Sequence, residues 1–197
     1  MSLDSSAAKA ESNGDGRIRC GWSEGSQLYR DYHDLEWGQP LHGDDALFER
    51  MCLEAFQSGL AWITILRKRP AFRTAFEGFA IERVAEFGEA DVERLMADPG
   101  IVRNRAKILA SIHNARVARD LGESLDTLLW SYAPTRRKRP RTLSDVPAVT
   151  AESTALAKEL KRRGFKFVGP TTAYALMQAT GMVDDHIADC WVNVSTR

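Results

Sequence analysis

The chain has 197 residues, 27 Lys and Arg against 27 Asp and Glu, and 44% hydrophobic content. That suits a globular fold of one large domain, or two small ones sharing a core, and excludes overall disorder. A formal charge of zero argues against whole-molecule attraction to nucleic acid but leaves room for a local basic face.

Residues 1–17 (MSLDSSAAKAESNGDGR) are small and polar and predict a disordered leader, leaving 18–197 as a single domain. No basic segment precedes an apolar one there, as a secretory signal requires, and no apolar run approaches the ~20 residues of a membrane span. Three widely spaced cysteines (Cys20, Cys52, Cys190) cannot form a disulfide framework and point to a reducing cytoplasm. Between Trp22 and Trp62 the chain is rich in flat rings: Trp22, Tyr29, Tyr32, Trp37 and Trp62.

Asp44 or Asp45 is placed to cap a helix whose Leu47, Phe48, Met51, Cys52 and Ala55 form an apolar stripe of period near 3.6. Cys52 reads as a small core residue. Glu54 falls beside that stripe, so it is either a carboxylate at the edge that reaches water or a buried one that needs a partner or a purpose. Val102 to Leu121 repeats the helical period, with Gly122 at the C-cap position. Residues 134–141 (PTRRKRPR) place five basic residues among the six positions 136–141, in either a solvated loop or a loop that contacts phosphates. An amphipathic run over 151–163 stops at Gly164, and Pro170 opens another helix that ends at Gly181. His42 and His113 read as ordinary polar positions. Period-2 alternation is absent, so the fold class is all-α.

The hairpin from Ala151 to Thr180 has a glycine-bounded turn before a helix N-terminus, where free backbone N–H groups suit a phosphate. Lys161, Arg162, Arg163 and Lys166 add charge beside it. An ordinary αα-hairpin with a solvated basic face fits the same residues. At the two ends of the chain, Cys20 with His33 and His186 with Cys190 make the two-thiolate, two-imidazole set that suits zinc. The four-residue spacing of His186 and Cys190 would put both on one face of a helix. Four protein ligands leave no position open for water, so such a zinc would be structural. Each pair alone is also what chance spacing produces.

RCGW at 19–22, YHDLEWG at 32–38, CLEAFQSGLAWITIL at 52–66, RGFKFVGPTTAYALMQATGMVDDH at 163–186 and the closing Cys190 resemble the bacterial 3-methyladenine DNA glycosylase I family. That family belongs to the helix–hairpin–helix glycosylases. The resemblance runs from about Arg19 to Cys190. It implies excision of alkylated adenine from double-stranded DNA by a monomeric enzyme at the bacterial nucleoid. It implies one zinc on Cys20, His33, His186 and Cys190, and a base pocket of Glu54, Tyr32 and Trp62 with Trp22 nearby. Gly59 and Leu60 match the family's turn before the pocket tryptophan, which implies that Leu60 wedges into the vacated stack. Lys166 and Gly169 are the expected phosphate contacts of the hairpin.

Two departures stand out. The superfamily's hairpin carries Gly-hydrophobic-Gly, but Phe167 holds the first glycine position. Its catalytic aspartate has only Asp184 as a candidate, and this family is held to lack that residue. Asp185 reads as support for a zinc-bound histidine.

The chemistry fits these residues. N3-methylation makes adenine cationic, so electron-rich faces of Tyr32 and Trp62 would favour it over adenine by ~2 kcal/mol when desolvated. An ionised Glu54 adds opposite charge and accepts from the exocyclic amine. The leaving group departs as a neutral base, so no strong nucleophile is needed, and no motif lysine suggests strand cleavage. The expected activity is therefore that of a monofunctional hydrolase leaving an abasic site. A silent zinc-clasped DNA-binding module would have no use for Glu54 between two rings, and a scaffold stabilised by zinc would show no salt-dependent DNA affinity.

Overall fold

The architecture comes from a computed structural model that describes residues 15–135 and 137–194; these form helices and turns, with no strand among them. The all-α expectation holds for the described residues. Most of the predicted leader, residues 1–14, lies outside them.

A 3₁₀ turn at Gly21–Gly25 leads into α1 (Gln27–Leu35), where Ser26 Oγ accepts from the Tyr29 N–H. The central helix is α2 (Asp44–Gln57), buried from Leu47 through Phe56 except at half-buried Glu49. Its N-cap is Gly43, so Asp44 and Asp45 occupy the first turn, where carboxylates suit the helix dipole. They cap other segments instead: Asp44 accepts from the Asp126 N–H at 2.9 Å and Asp45 from the Ile81 N–H at 2.8 Å.

Around α2 follow α3 (Trp62–Ala75), α4 (Ile81–Ala85), α5 (Glu89–Ala97), α6 (Arg105–Arg119) and α7 (Leu125–Trp130). The predicted 102–121 helix is shorter at both ends, because the Asn104 side chain caps at Lys107 N. Buried Phe48, Phe56, Phe72, Phe76, Phe79 and Phe87 pack ring against ring in a continuous core.

α8 (Ala151–Arg162) and α9 (Pro170–Ala179) form the expected hairpin. α8 closes with Phe165 N–H to Leu160 O and Gly164 N–H to Lys161 O, the paired bonds of a helix stop at a left-handed glycine. Asn114 of α6 then grips the turn from both sides: it accepts from Lys166 N–H at 2.8 Å and donates to Lys166 O at 2.9 Å. Phe167, in the expected glycine position, has φ 57°. The left-handed conformation that favours glycine is thus kept by an aromatic residue, at a strain of about 1 kcal/mol.

Beyond α9 the chain is irregular. His186 and Cys190 do not share a helical turn as their spacing predicted; the segment 182–194 holds no helix. It crosses back over the N-terminal segment, with Trp191 N–H donating to Ile18 O, and a small cluster of Cys20, Ile187, Cys190 and Val192 seals the junction. Gly181 permits that path. Its φ is 73°, and a Cβ there would sit 2.6–2.7 Å from the backbone of Gly38, Gln39 and Pro40. Backbone cannot yield as a flexible side chain does, so Gly181→Ala is expected to destabilise the fold by about 3 kcal/mol or more. Denaturant unfolding monitored by tryptophan fluorescence measures it.

Candidate base pocket and metal centre

A cavity of about 480 Å³ opens between α1, α2, α3 and α9. Its walls include Trp22, Tyr29, Tyr32, Trp37 and Trp62, with Glu54, Gln57, Gln178 and Asp185 as polar members. The sequence's aromatic cluster is therefore brought together. Tyr32 and Trp62 lie 5.6 Å apart between centroids, and Trp22 meets Tyr29, Tyr32 and Trp37 at 5.1–6.3 Å. Tyr29 Oη accepts from the Ile63 N–H and thereby ties α1 to the start of α3. The indole N–H of Trp62 is buried and finds no acceptor among the described residues.

Glu54 is 5% exposed, which decides between the two readings of its sequence position. Among the described residues no group donates a hydrogen bond to its carboxylate. Burial raises its pKa to about 7, against an opposing pull from Arg50. Near neutrality the pocket therefore holds a carboxyl group balanced between its neutral and ionised forms, and a cation or a donor would favour the ionised one.

The turn from Ser58 to Ala61 adjoins the pocket. Lys107 Nζ donates to Phe56 O at 2.9 Å and Ser58 O at 2.7 Å, and Gln57 Nε2 donates to Leu60 O. Gly59 takes φ 85° and Leu60 is 39% exposed, an apolar side chain held out on a braced turn. In the hairpin, Lys166 and Phe167 are exposed.

Three of the four members of the other predicted cluster come together, with His186 beside them. Ligand atoms of Cys20, His33 and Cys190 all lie within 4.8 Å of one another, and all three residues are buried. His33 Nδ1 bonds Asp34 Oδ1 at 2.8 Å, leaving Nε2 3.5 Å from Cys190 Sγ. His186 packs edge-on against His33 at 5.0 Å; its Nδ1 bonds Asp184 Oδ1 at 3.0 Å, and its Nε2 is buried without a partner. Each imidazole is oriented by a carboxylate at Nδ1, as metal-bound histidines are, and both leave Nε2 without a carboxylate partner among the described residues. The oriented donors fit a thiophilic cation.

The residue that orients His186 is Asp184 and not Asp185, because its carboxylate turns to the imidazole and to Arg139 at 2.8 Å. Asp185 faces the pocket instead, bonded by Tyr174 at 2.5 Å, Arg137 at 2.6 Å and Gln178 at 2.9 Å. Asp34 is gripped in turn by Arg19; although burial works against it, bonds from Arg19 and His33 hold its carboxyl below the usual range.

Within 134–141, then, Arg137 and Arg139 are tied inward. Sequence reasoning gave no role to Asp34 or Gln178, and it read Arg137 and Arg139 only as members of a solvated or phosphate-contacting loop. Only Asp34 carried a signal, as the carboxylate next to a ligand histidine. Cys52 is a core residue as expected, and burial pushes its thiol up to about 12. His42 bonds Asp126 and stacks on Trp130, while His113 bonds Gly164 O.

An all-helical body, a buried carboxylate among aromatic rings and a clasp of cysteines and histidines define a protein equipped to hold one flat, positively polarised ring. The sequence profile described as methyladenine glycosylase matches residues 22–193. The chain is 47% identical over 177 residues to DNA-3-methyladenine glycosylase 1 of Escherichia coli K12, covering 87% of this chain and 95% of that protein. A crystal structure of 3-methyladenine DNA glycosylase I superposes with a TM-score of 0.84 at 46% identity, covering 88% and 98% of the two chains. A structure of the Staphylococcus aureus enzyme, solved for its recognition of 3-methyladenine, superposes at 0.83 with 37% identity, covering 91% and 98%. This chain belongs to the methyladenine glycosylase family.

Proposed function

We propose that the protein is a monofunctional DNA N-glycosylase that everts 3-methyladenine from alkylated double-stranded DNA and hydrolyses its glycosidic bond, leaving an abasic site. The observation that carries this reading is Glu54, buried between aromatic walls with no hydrogen-bond donor of its own. A cationic purine supplies both what the carboxylate lacks and what the rings attract.

In this reading Tyr32 and Trp62 hold the faces of the base, and Trp22 closes the wall behind them. Eversion takes a few kcal/mol, least for a damaged and poorly paired base. Leu60, presented beside Gly59 on its braced turn, fills the space that the base vacates. The α8–α9 pair serves as a helix–hairpin–helix, with Lys166 and the N–H groups around Gly169 against phosphates. As the glycosidic bond lengthens, the electron pair moves into the purine and the positive charge passes towards the sugar. Glu54, ionised, stabilises that charge and accepts from the base edge, and water completes the hydrolysis. Asp184 has no part in this chemistry, since its carboxylate is committed to His186 and Arg139.

Zinc fits the clasp, held by Cys20, His33, His186 and Cys190. The buried Nε2 of His186, which has no partner among the described residues, supports the fourth ligand. Zinc there would supply structure and no reactive position. The continuous core from Leu47 to Val183 supports reading 18–197 as one domain. In this reading it acts as a monomer on the nucleoid in the cytoplasm. No helix among the described residues is long and apolar enough to cross a membrane.

Incubation with DNA methylated at adenine N3 tests the reading. Free 3-methyladenine and intact abasic strands are expected; DNA binding without base release would leave only a binding module.

A further inference from the structure

Arg50 lies one turn before Glu54 on α2 and is 7% exposed. A buried cation beside a pocket for a cationic base carries, at first sight, the wrong charge. Its surroundings resolve the contradiction. One guanidinium nitrogen donates to Tyr32 Oη at 2.9 Å, and another sits 3.5 Å from Glu36. Glu36 is gripped in turn by Arg69, through two bonds of 2.5 and 2.7 Å. The guanidinium carbon is 5.4 Å from the Tyr32 ring centroid and 5.9 Å from that of Trp62. Glu36 and Arg69 thus fix Arg50 where it borders both pocket rings.

A phenol oxygen that accepts from arginine must point its own proton elsewhere. Among the described residues, the Tyr32 hydroxyl has no acceptor. We propose that Arg50 is a positioning residue for base recognition: it turns the Tyr32 hydroxyl into a donor towards the cavity and supplies the counter-charge that Glu54 otherwise lacks. This rests on the reading of the cavity as a base pocket. Arg50 acts through Tyr32 and Glu54.

Charge around the cavity is otherwise spoken for. Glu36 is held by Arg69, and Asp185 by Tyr174, Gln178 and Arg137. The side of Glu54 towards α8 and α9 meets Leu160, Val168, Thr172, Ala173 and Leu176, none of them charged. Arg50 is accordingly the charge that draws the Glu54 carboxyl down against its burial.

The experiment follows the Glu54 side-chain carboxyl by carbon NMR from pH 5 to 9, alongside the affinity of the full chain for free 3-methyladenine. In Arg50→Met the Glu54 midpoint is expected to rise by roughly one pH unit, with affinity at pH 7 falling about tenfold. Arg50→Lys is expected to restore the midpoint but not the full affinity, because an ammonium cannot bond Tyr32 and Glu36 with a planar fork. A folded Arg50→Met with wild-type midpoint and affinity overturns the proposal. If that variant fails to fold, Arg50→Gln decides by the same midpoint: a rise supports the proposal and no change overturns it. Failure of the unmodified chain to bind the base would sink the pocket reading instead, while the Glu54 midpoint still reports whether Arg50 supplies its counter-charge.

Discussion

Glu54→Gln is expected to lose roughly 100-fold in excision of 3-methyladenine at pH 8 while making the folded protein more stable there. The loss follows from removing an anion that stabilises the positive charge passing to the sugar in a water-poor pocket, where one preorganised electrostatic contact is worth about 3 kcal/mol. The gain follows from linkage. Glu54 has its pKa raised by burial from 4.5 to about 7, so the native state binds its proton more tightly than the unfolded chain. Stability from this group is present in full below the unfolded value and is lost as pH rises through the folded one. At about 1.4 kcal/mol per unit, the ionised carboxylate destabilises the fold by about 3 kcal/mol above pH 7. Gln carries no charge to desolvate, so its thermal midpoint at pH 8 should exceed that of the wild type, and the two should converge near pH 4. The same titration sets the rate profile. kcat/KM of the wild type is expected to fall as pH drops through about 7, and kcat through a lower value, because the bound cation favours the carboxylate. In the Gln variant both acid limbs should vanish. Unchanged excision by Glu54→Gln would remove the carboxylate from the mechanism.

Much of this was legible in the residues, for identifiable reasons. Leu47, Phe48, Met51 and Cys52 keep the helical period because α2 packs against several neighbours, and Gly164 marks the end of α8 because only a left-handed residue allows its closing bonds. The cysteines and histidines of the clasp could be picked out by chemistry alone, and three of them, Cys20, His33 and Cys190, do come together. Their local structure could not: the four-residue spacing of His186 and Cys190 suggests a helix, yet two ends of the chain crossing over one another set their geometry. Asp184 and Asp185 show the same limit. Adjacent and identical in type, they face opposite ways, and only the positions of His186 and Tyr174 decide which serves the clasp and which the pocket. The basic run at 134–141 suggested a surface, and Arg137, Lys138 and Arg141 are exposed, but nothing in it foretold that Arg137 and Arg139 also reach buried carboxylates 45 or more residues away. Arg50 was legible in principle, as the cation one turn before a buried Glu, but nothing in the sequence places Tyr32 Oη and Glu36 against it.

On the proposal that zinc occupies the clasp, removing it, or one of the residues proposed to hold it, is the second change expected to act strongly, and on stability before chemistry. Few apolar side chains join the two ends of the chain: Cys20, Ile187, Cys190 and Val192, with Trp22, Trp37, Leu143 and Trp191 packed around them. Without a cation, the Nε2 of His186 stays buried and unsatisfied, and the facing thiols have only weak partners. A zinc ion at a free concentration of about 1,000 times its Kd would stabilise the native state by about 4 kcal/mol. For a chain of this size that corresponds to roughly 10 °C in Tm. Chelation, Cys20→Ser and His186→Ala should each lower Tm by about that amount and reduce bound zinc from one per chain towards none. The loss should also reach the pocket, since Trp37 lies 4.7 Å from the His186 ring and 5.1 Å from Trp22. Weaker base binding with altered tryptophan fluorescence should therefore accompany the lower Tm, whereas Asp184→Asn, which keeps all four ligands, should show a smaller fraction of both. A chain that contains no zinc as purified, and whose Tm is indifferent both to chelators and to His186→Ala, would show that the crossing of the termini holds by packing alone.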